Sequence, residues 1–111
     1  MIKKKFRLTA KDLKNFFENK NISQISSEPY LKILYKENNL NFPRFAVVFP
    51  KNVFKRAFLR NKIKRRIYAI IRDLMKNQIF PGKDIIFLIK KDVNFFKLKD
   101  ILSRSFSNFS L

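Results

Sequence analysis

Apolar positions recur along the chain with two periods, and the places where the period changes divide it into elements. In TAKDLKNFFENK, residues 9–20, Leu13, Phe16 and Phe17 fall at helical spacing. Thr9 stands where a cap belongs and Asp12 near the positive helix end. NISQISSE is polar and turn-like, and PYLKILYKE then alternates as a strand does, with Leu31, Ile33 and Tyr35 on one parity. NNLNFP reads as a turn, RFAVVFP as a second strand ended by Pro50, and KNVFKR as loop or a short extension. The longest periodic segment runs from about Lys55 to Asn77, where Leu59, Ile63, Ile67, Ile70, Ile71 and Leu74 form one continuous apolar stripe. Pro81 and Gly82 end that unit. DIIFLIK is nearly all apolar, as a strand in the middle of a sheet would be. NFFKLKDILSRSF closes the chain as a helix, with Asn94 as its cap and Phe95, Leu98, Ile101 and Leu102 facing inward.

The order is helix, two or three strands, helix, strand, helix, with no internal repeat and no linker. This predicts one α+β domain over residues 1–111, an α-β-β-β-α-β-α sandwich with helices packed on one sheet. The long helix between two strands implies a split β-α-β crossover. Residues 1–7 read as a basic, mobile arm.

Charge then changes the picture. Lys and Arg number 26 against 8 acids, a net +18, while apolar residues make up 46% and Phe alone contributes 14. A disordered basic tail lacks that apolar content, so the charge belongs to a folded domain. Self-repulsion on this scale points to a polyanionic partner. On the long helix, Asn61, Lys62, Lys64, Arg65, Arg72 and Lys76 fall opposite the apolar stripe, with Arg60 and Arg66 at its flanks. Between residues 55 and 76 stands one acid, Asp73, against nine basic residues. A solvated helix face ordinarily mixes both signs, and like charges such as Arg56, Arg60 and Lys64 at i, i+4 cost stability. A phosphate-binding face explains that pattern. A membrane-surface helix would also pair basic and apolar faces, but here the apolar faces are needed to build a core. No run reaches the ~18 apolar residues of a span, and MIKKKFRLTAKDL has no signal-like apolar stretch, so a soluble cytoplasmic protein is expected.

Catalytic chemistry finds no footing in the side chains. The chain has no Cys and no His, and its acids are scattered without a close pair. A single Gly excludes Gly-rich phosphate loops. Among the aromatics, Phe42, Phe45, Phe49, Phe87, Phe95 and Phe106 suit a core. Phe16, Phe17, Tyr30 and Tyr35 adjoin Lys or Arg and suit stacking on unpaired bases.

At RNKIKRRI, Arg60 to Ile67, the sequence resembles the RN-R-x-KR-R signature of the bacterial ribonuclease P protein subunit. FAVVFPKNVFKRAFLRNKIKRR is similar to that family's strand, turn and basic helix. FRLTAKDLKNFF resembles its opening, LYK its L-Y strand, and FPGKDIIFLIK its P-G-x-D strand, so the likeness spans roughly residues 6–106. Lys62 stands where the family usually has Arg, Asn52 replaces the second Lys of the turn, Leu13 takes an aromatic place, and Tyr68 stands where Arg is common.

The resemblance implies that an RNA subunit is the catalyst and removes the 5′ leader of precursor tRNA. No cofactor is expected on the protein alone, and Mg2+ is expected for the holoenzyme. It further implies that Arg56, Arg60, Asn61, Lys62, Lys64, Arg65 and Arg66 contact the catalytic RNA. Phe16, Phe17, Tyr35 and Lys51 would line a leader cleft between the first helix and the sheet, with Phe17 and Tyr35 in one groove. The family fold implies a left-handed crossover, against the general right-handed rule. Partners are the catalytic RNA and precursor tRNA, with a monomeric protein and no membrane. A structural RNA-binding protein of ribosomal type is the alternative that composition leaves open.

Overall fold

The computed structural model describes residues 3–18, 22–27, 29–50, 56–78 and 80–107. Its centre is the nearly all-apolar strand of the DIIFLIK segment. Among the described residues the α-helices and strands follow in the order α1 (Ala10–Glu18), β1 (Ser23–Ser27), β2 (Leu31–Glu37), β3 (Arg44–Val48), α2 (Ala57–Asn77), β4 (Lys83–Ile89) and α3 (Phe95–Phe106). The sheet order is β1-β2-β4-β3, with β1/β2 and β2/β4 antiparallel and β3/β4 parallel. The expected α+β class holds. The strands joined through α2 are direct neighbours, so no strand splits the β-α-β unit, contrary to the sequence expectation.

Strand alternation sorts the core into two layers. Leu31, Ile33, Phe45, Val47, Ile85, Phe87 and Ile89 face α2 and α3, which add Ile63, Ile67, Ile70, Ile71, Leu98, Ile101, Leu102 and Phe106. The opposite parity, Ala46 and Ile86 with half-buried Leu34 and Val48, meets α1 through Phe16 and Leu13. β4 is therefore buried on both faces, which is why its sequence carries no alternation.

Two segments depart from expectation. Polar residues 23–27, read as a turn, form edge strand β1 with a register shift between Gln24 and Ser26. A strand at the edge is held by its backbone ladder and needs only Ile25 against the core, so no apolar alternation announces it. The described part of the basic arm is not free either. Lys4–Phe6 makes a 3-10 turn, Arg7 bridges to Phe45 in parallel, and the Leu8 amide donates to the Phe45 carbonyl at 2.8 Å. β3 is otherwise an edge strand, and residues 6–8 cover part of its open side.

Polar ties fix the ends of the elements. Thr9 and Asp12 cap α1 reciprocally: the Asp12 amide donates to Thr9 Oγ1, and the Thr9 amide and hydroxyl both donate to Asp12 Oδ2. Those bonds, with the Arg44 charge, hold the Asp12 carboxyl below its usual range. Arg44 grips the nearly buried Asp84 by Nε and Nη2, both at 2.8 Å, and the Asn38 side-chain amide also donates to Asp84 at 3.1 Å. That pair raises the Arg44 pKa further. The single Gly is required by contact: a Cβ on Gly82 would meet the Leu40 carbonyl oxygen at 1.7 Å. Asn94 caps α3 by accepting from the Lys97 amide at 2.9 Å.

Between α2 and α3, Arg66 Nη1 donates to the Val93 carbonyl at 2.9 Å, and the Gln78 side-chain amide donates to the Phe106 carbonyl at 3.0 Å.

Two stability outcomes follow from this packing. Phe16→Ala, at 0% exposure, should cost about 3–5 kcal/mol. Phe17→Ala, 47% exposed, should cost less than about 1 kcal/mol. Urea melts of the two variants measure the difference, and equal losses would contradict the assignment of Phe16 to the core. Arg66→Ala should lose about 1.5–3 kcal/mol, the range for a charged hydrogen bond, while Arg65→Ala stays within about 0.5 kcal/mol. The same melts decide it, and Arg65 proving the costlier would reverse the roles given to the pair.

Candidate nucleic-acid interface

α2 is built from strong helix formers, free of Gly and Pro, and its 21 residues extend for about 30 Å. Its start is electrostatically unfavourable. Arg56 stands at the cap without a capping side chain, no acid lies in the first turn, and Arg60 adds positive charge at the positive end of the dipole. A phosphate beside this end would relieve both the charge and the unpaired amides.

The helix presents two faces. Ile63, Ile67, Ile70 and Ile71 are buried, while Arg56, Asn61, Lys62, Arg65, Arg72 and Lys76 are exposed. Leu59, expected in the stripe, and Leu74 are only half-buried, Leu74 against the margin of the main core. Arg60 and Lys64 are half-buried, Lys64 in a groove it shares with Ala46 and Val47 of β3. Arg65 Nε lies 3.4 Å from the Asn61 carbonyl, a long contact that lays its guanidinium along the helix surface. Arg66 differs from its neighbours. Its bond to Val93 and its approach to Asp92 at 3.8 Å commit it to the α2–α3 junction. By helical angle it belongs at the flank of the displayed charges, and that angle carries no sign of the carbonyl it meets.

A groove of about 360 Å3 runs beside the edge of β3, with Arg7, Leu13, Ala46, Lys64 and Tyr68 among the residues lining it. Arg7 Nε is buried there without a hydrogen-bond partner among the described residues. Burial raises the Tyr68 phenol pKa, against a smaller opposing pull from Arg7, so the ring lines the groove in its neutral form. Neither Arg7 nor Tyr68 was picked out from the sequence as a site residue. The available signal was Tyr68 standing in a place where the related pattern carries Arg. Lys64 also lines a second recess, with Phe58, Asn61 and Arg65 on the outer side of α2. One side chain thus borders both surfaces.

The expected leader residues are not brought together. Phe16 is buried at 0% exposure among Ala46, Ile86 and Leu13, so it presents no face to a base, which corrects its assignment. Its ring packs edge-on to Phe17 at 5.4 Å, and Phe17 remains exposed on α1. Tyr35 lies on the other side of the sheet. Leu34 packs with the α1 layer, so alternation turns Tyr35 toward the α2/α3 layer, where Lys83 sits 5.0 Å over its ring. Phe17 and Tyr35 therefore do not share a groove. Lys51 lies outside the described residues.

Asp12, Asp84 and Glu37 are engaged by Arg44 and Lys83. Among the described residues no group of three or more His, Cys, Asp or Glu side chains could hold a metal ion. Among the same residues no helix is long and apolar enough to cross a membrane.

The chain is similar to known proteins in sequence and in fold. The family model described as Ribonuclease P matches residues 2–109. The ribonuclease P protein component of Nitrosococcus oceani is 33% identical over 79 residues, covering 71% of this chain and 64% of the relative. That of Photobacterium profundum is 31% identical over 109 residues, 93% of this chain and 88% of the relative. Among solved structures, the RNase P protein from Thermotoga maritima superimposes with a TM-score of 0.73 at 24% identity, covering 88% of this chain and 92% of that one. The Staphylococcus aureus RNase P protein gives 0.74 at 19%, with 93% and 94% covered. Those two likenesses establish the fold, and the family match with the identity to the protein components establishes more: the chain belongs to the ribonuclease P protein family.

Proposed function

We propose that this protein docks on the catalytic RNA of ribonuclease P through the outer face of α2 and guides the single-stranded 5′ leader of precursor tRNA into the groove at the β3 edge. The observation that carries this reading is Lys64, which lines both the outer recess of α2 and the groove. A nucleic acid following the basic face meets the groove without crossing an acidic surface, since Asp73 is the one acid on α2 and lies toward its far end.

Arg56, Arg60, Asn61, Lys62, Lys64 and Arg65 supply phosphate and polar contacts along the RNA backbone. In the groove, Arg7 and Lys64 offer charge while Leu13 and Tyr68 offer apolar surface, a combination that suits an unpaired strand. Phe17 remains the exposed aromatic of α1 and a second place for a leader base to stack. Catalysis and its magnesium ions are assigned to the RNA, because the described side chains include neither a convergent acidic cluster nor a general base near the basic surface. The ribosomal-type alternative loses ground to the family match.

Reconstitution tests this reading. The purified chain alone should cleave no precursor tRNA, and with ribonuclease P RNA it should lower the magnesium needed for cleavage. Replacing Arg60, Lys64 and Arg65 together by Ala should weaken RNA binding and make its log-log salt dependence shallower by roughly 0.7–0.9 for each phosphate left without its cation. Cleavage by the RNA-free protein, or an unchanged slope in a folded triple variant, would defeat the proposal.

A further inference from the structure

Phe58 occupies the point on α2 where burial would place a charge. Nine residues separate it from buried Ile67, which at about 100° per residue sets the two on opposite sides of the helix. The ring is 59% exposed. Asn61, Lys62 and Arg65 follow at i+3, i+4 and i+7, so an aromatic stands at the N-terminal end of the amide and cationic face. Beside it opens a recess of about 410 Å3 lined by Phe58, Asn61, Lys64 and Arg65.

The chemistry of these four side chains selects an occupant. An exposed phenyl ring on a face meant only for solvent or for phosphates gains nothing, because neither contacts its π surface. An apolar protein segment would use the ring but would be opposed by the desolvation of Lys64 and Arg65. A free phosphate would use the cations and ignore the ring. A base in a regular duplex is already stacked on both sides and offers no face. An unpaired nucleobase matches all four groups: its face stacks on Phe58, its edge meets the donor and acceptor of the Asn61 amide, and its flanking phosphates meet Lys64 and Arg65.

We propose that Phe58 is a stacking platform for an unpaired base of RNA, positioned on the outer face of α2 with Asn61 at the base edge and Lys64 and Arg65 on the adjoining phosphates. The inference rests on the RNA-docking reading of α2 and adds to it the class of element recognised: a bulged or looped nucleotide, not a continuous duplex.

The chain contains no Trp, so Phe58→Trp introduces a single reporter at the platform. Its fluorescence should be quenched by a single-stranded adenosine decamer and unchanged by a fully paired RNA hairpin. In anisotropy titrations, Phe58→Ala and Phe58→Leu should bind the decamer about 5- to 140-fold more weakly, the equivalent of ~1–3 kcal/mol of stacking. Hairpin binding should stay as in the parent, and Phe58→Tyr should retain decamer affinity. The salt slope should not change in Phe58→Ala, because no charge is removed, whereas Arg65→Ala should make it shallower. Unchanged decamer affinity in both Phe58→Ala and Phe58→Leu, or equal losses on decamer and hairpin, would overturn the platform while leaving the docking face intact. Self-association of the parent that disappears in Phe58→Ala, with RNA affinity preserved, would overturn it in favour of a contact between copies. Failure of the parent protein to bind either RNA would instead remove the docking reading on which the platform rests.

Discussion

Burial of the α2 stripe against one face of the sheet is the contact on which the rest of the molecule depends. Ile63, Ile67, Ile70 and Ile71 meet Phe45, Phe87 and the strand residues of the same parity. Burying four such side chains contributes on the order of 6–12 kcal/mol before entropy is counted. That attraction holds a helix with one acid and many cations in place on a chain of net +18. Without it the same residues would be the extended basic tail that their charge alone suggests.

The acids are placed so that this display is not neutralised. Asp12 and Asp84 are engaged by Arg44, Glu37 by Lys83, Asp92 by Arg66 and Asp100 by Arg104. Most of these pairs stitch elements together at the ends of the sheet or along α3, away from the outer face of α2. The Asp84–Arg44–Asn38 group does this most completely, since a nearly buried carboxylate receives hydrogen bonds from both partners. Negative charge is spent on cohesion inside the domain, and the surplus of positive charge is left facing outward.

Much of this could be seen in the residues, and the failures have physical causes. The long helix and its buried face are legible because burial on a fixed period writes itself into the sequence, and the apolar run that follows Asp84 in β4 is legible as a strand covered on both faces. β1 is not, because an edge strand is held by backbone bonds that any polar residue supplies. Phe16 and Phe17 are adjacent and equally aromatic, so only the packing of α1 separates the buried ring from the exposed one. Tyr35 was assigned to a groove by likeness, whereas the alternation of Leu34 and Tyr35 sends it to the opposite layer. Arg66 shows the same limit: its place at the flank of the basic face was visible, but the Val93 carbonyl lies 27 positions away in sequence.

The central claim is that α2 is a folded, one-sided surface for RNA, and lysine footprinting tests it most directly. The protein is acetylated with and without ribonuclease P RNA, in the absence of tRNA, and each Lys is quantified by mass spectrometry. Lys62 and Lys64 should lose reactivity when the RNA is bound, while Lys11 and Lys14, exposed on α1 across the sheet, should keep theirs. Uniform protection of all four, or protection of the α1 pair alone, would show that RNA is held by diffuse charge or by another face, and would contradict the account.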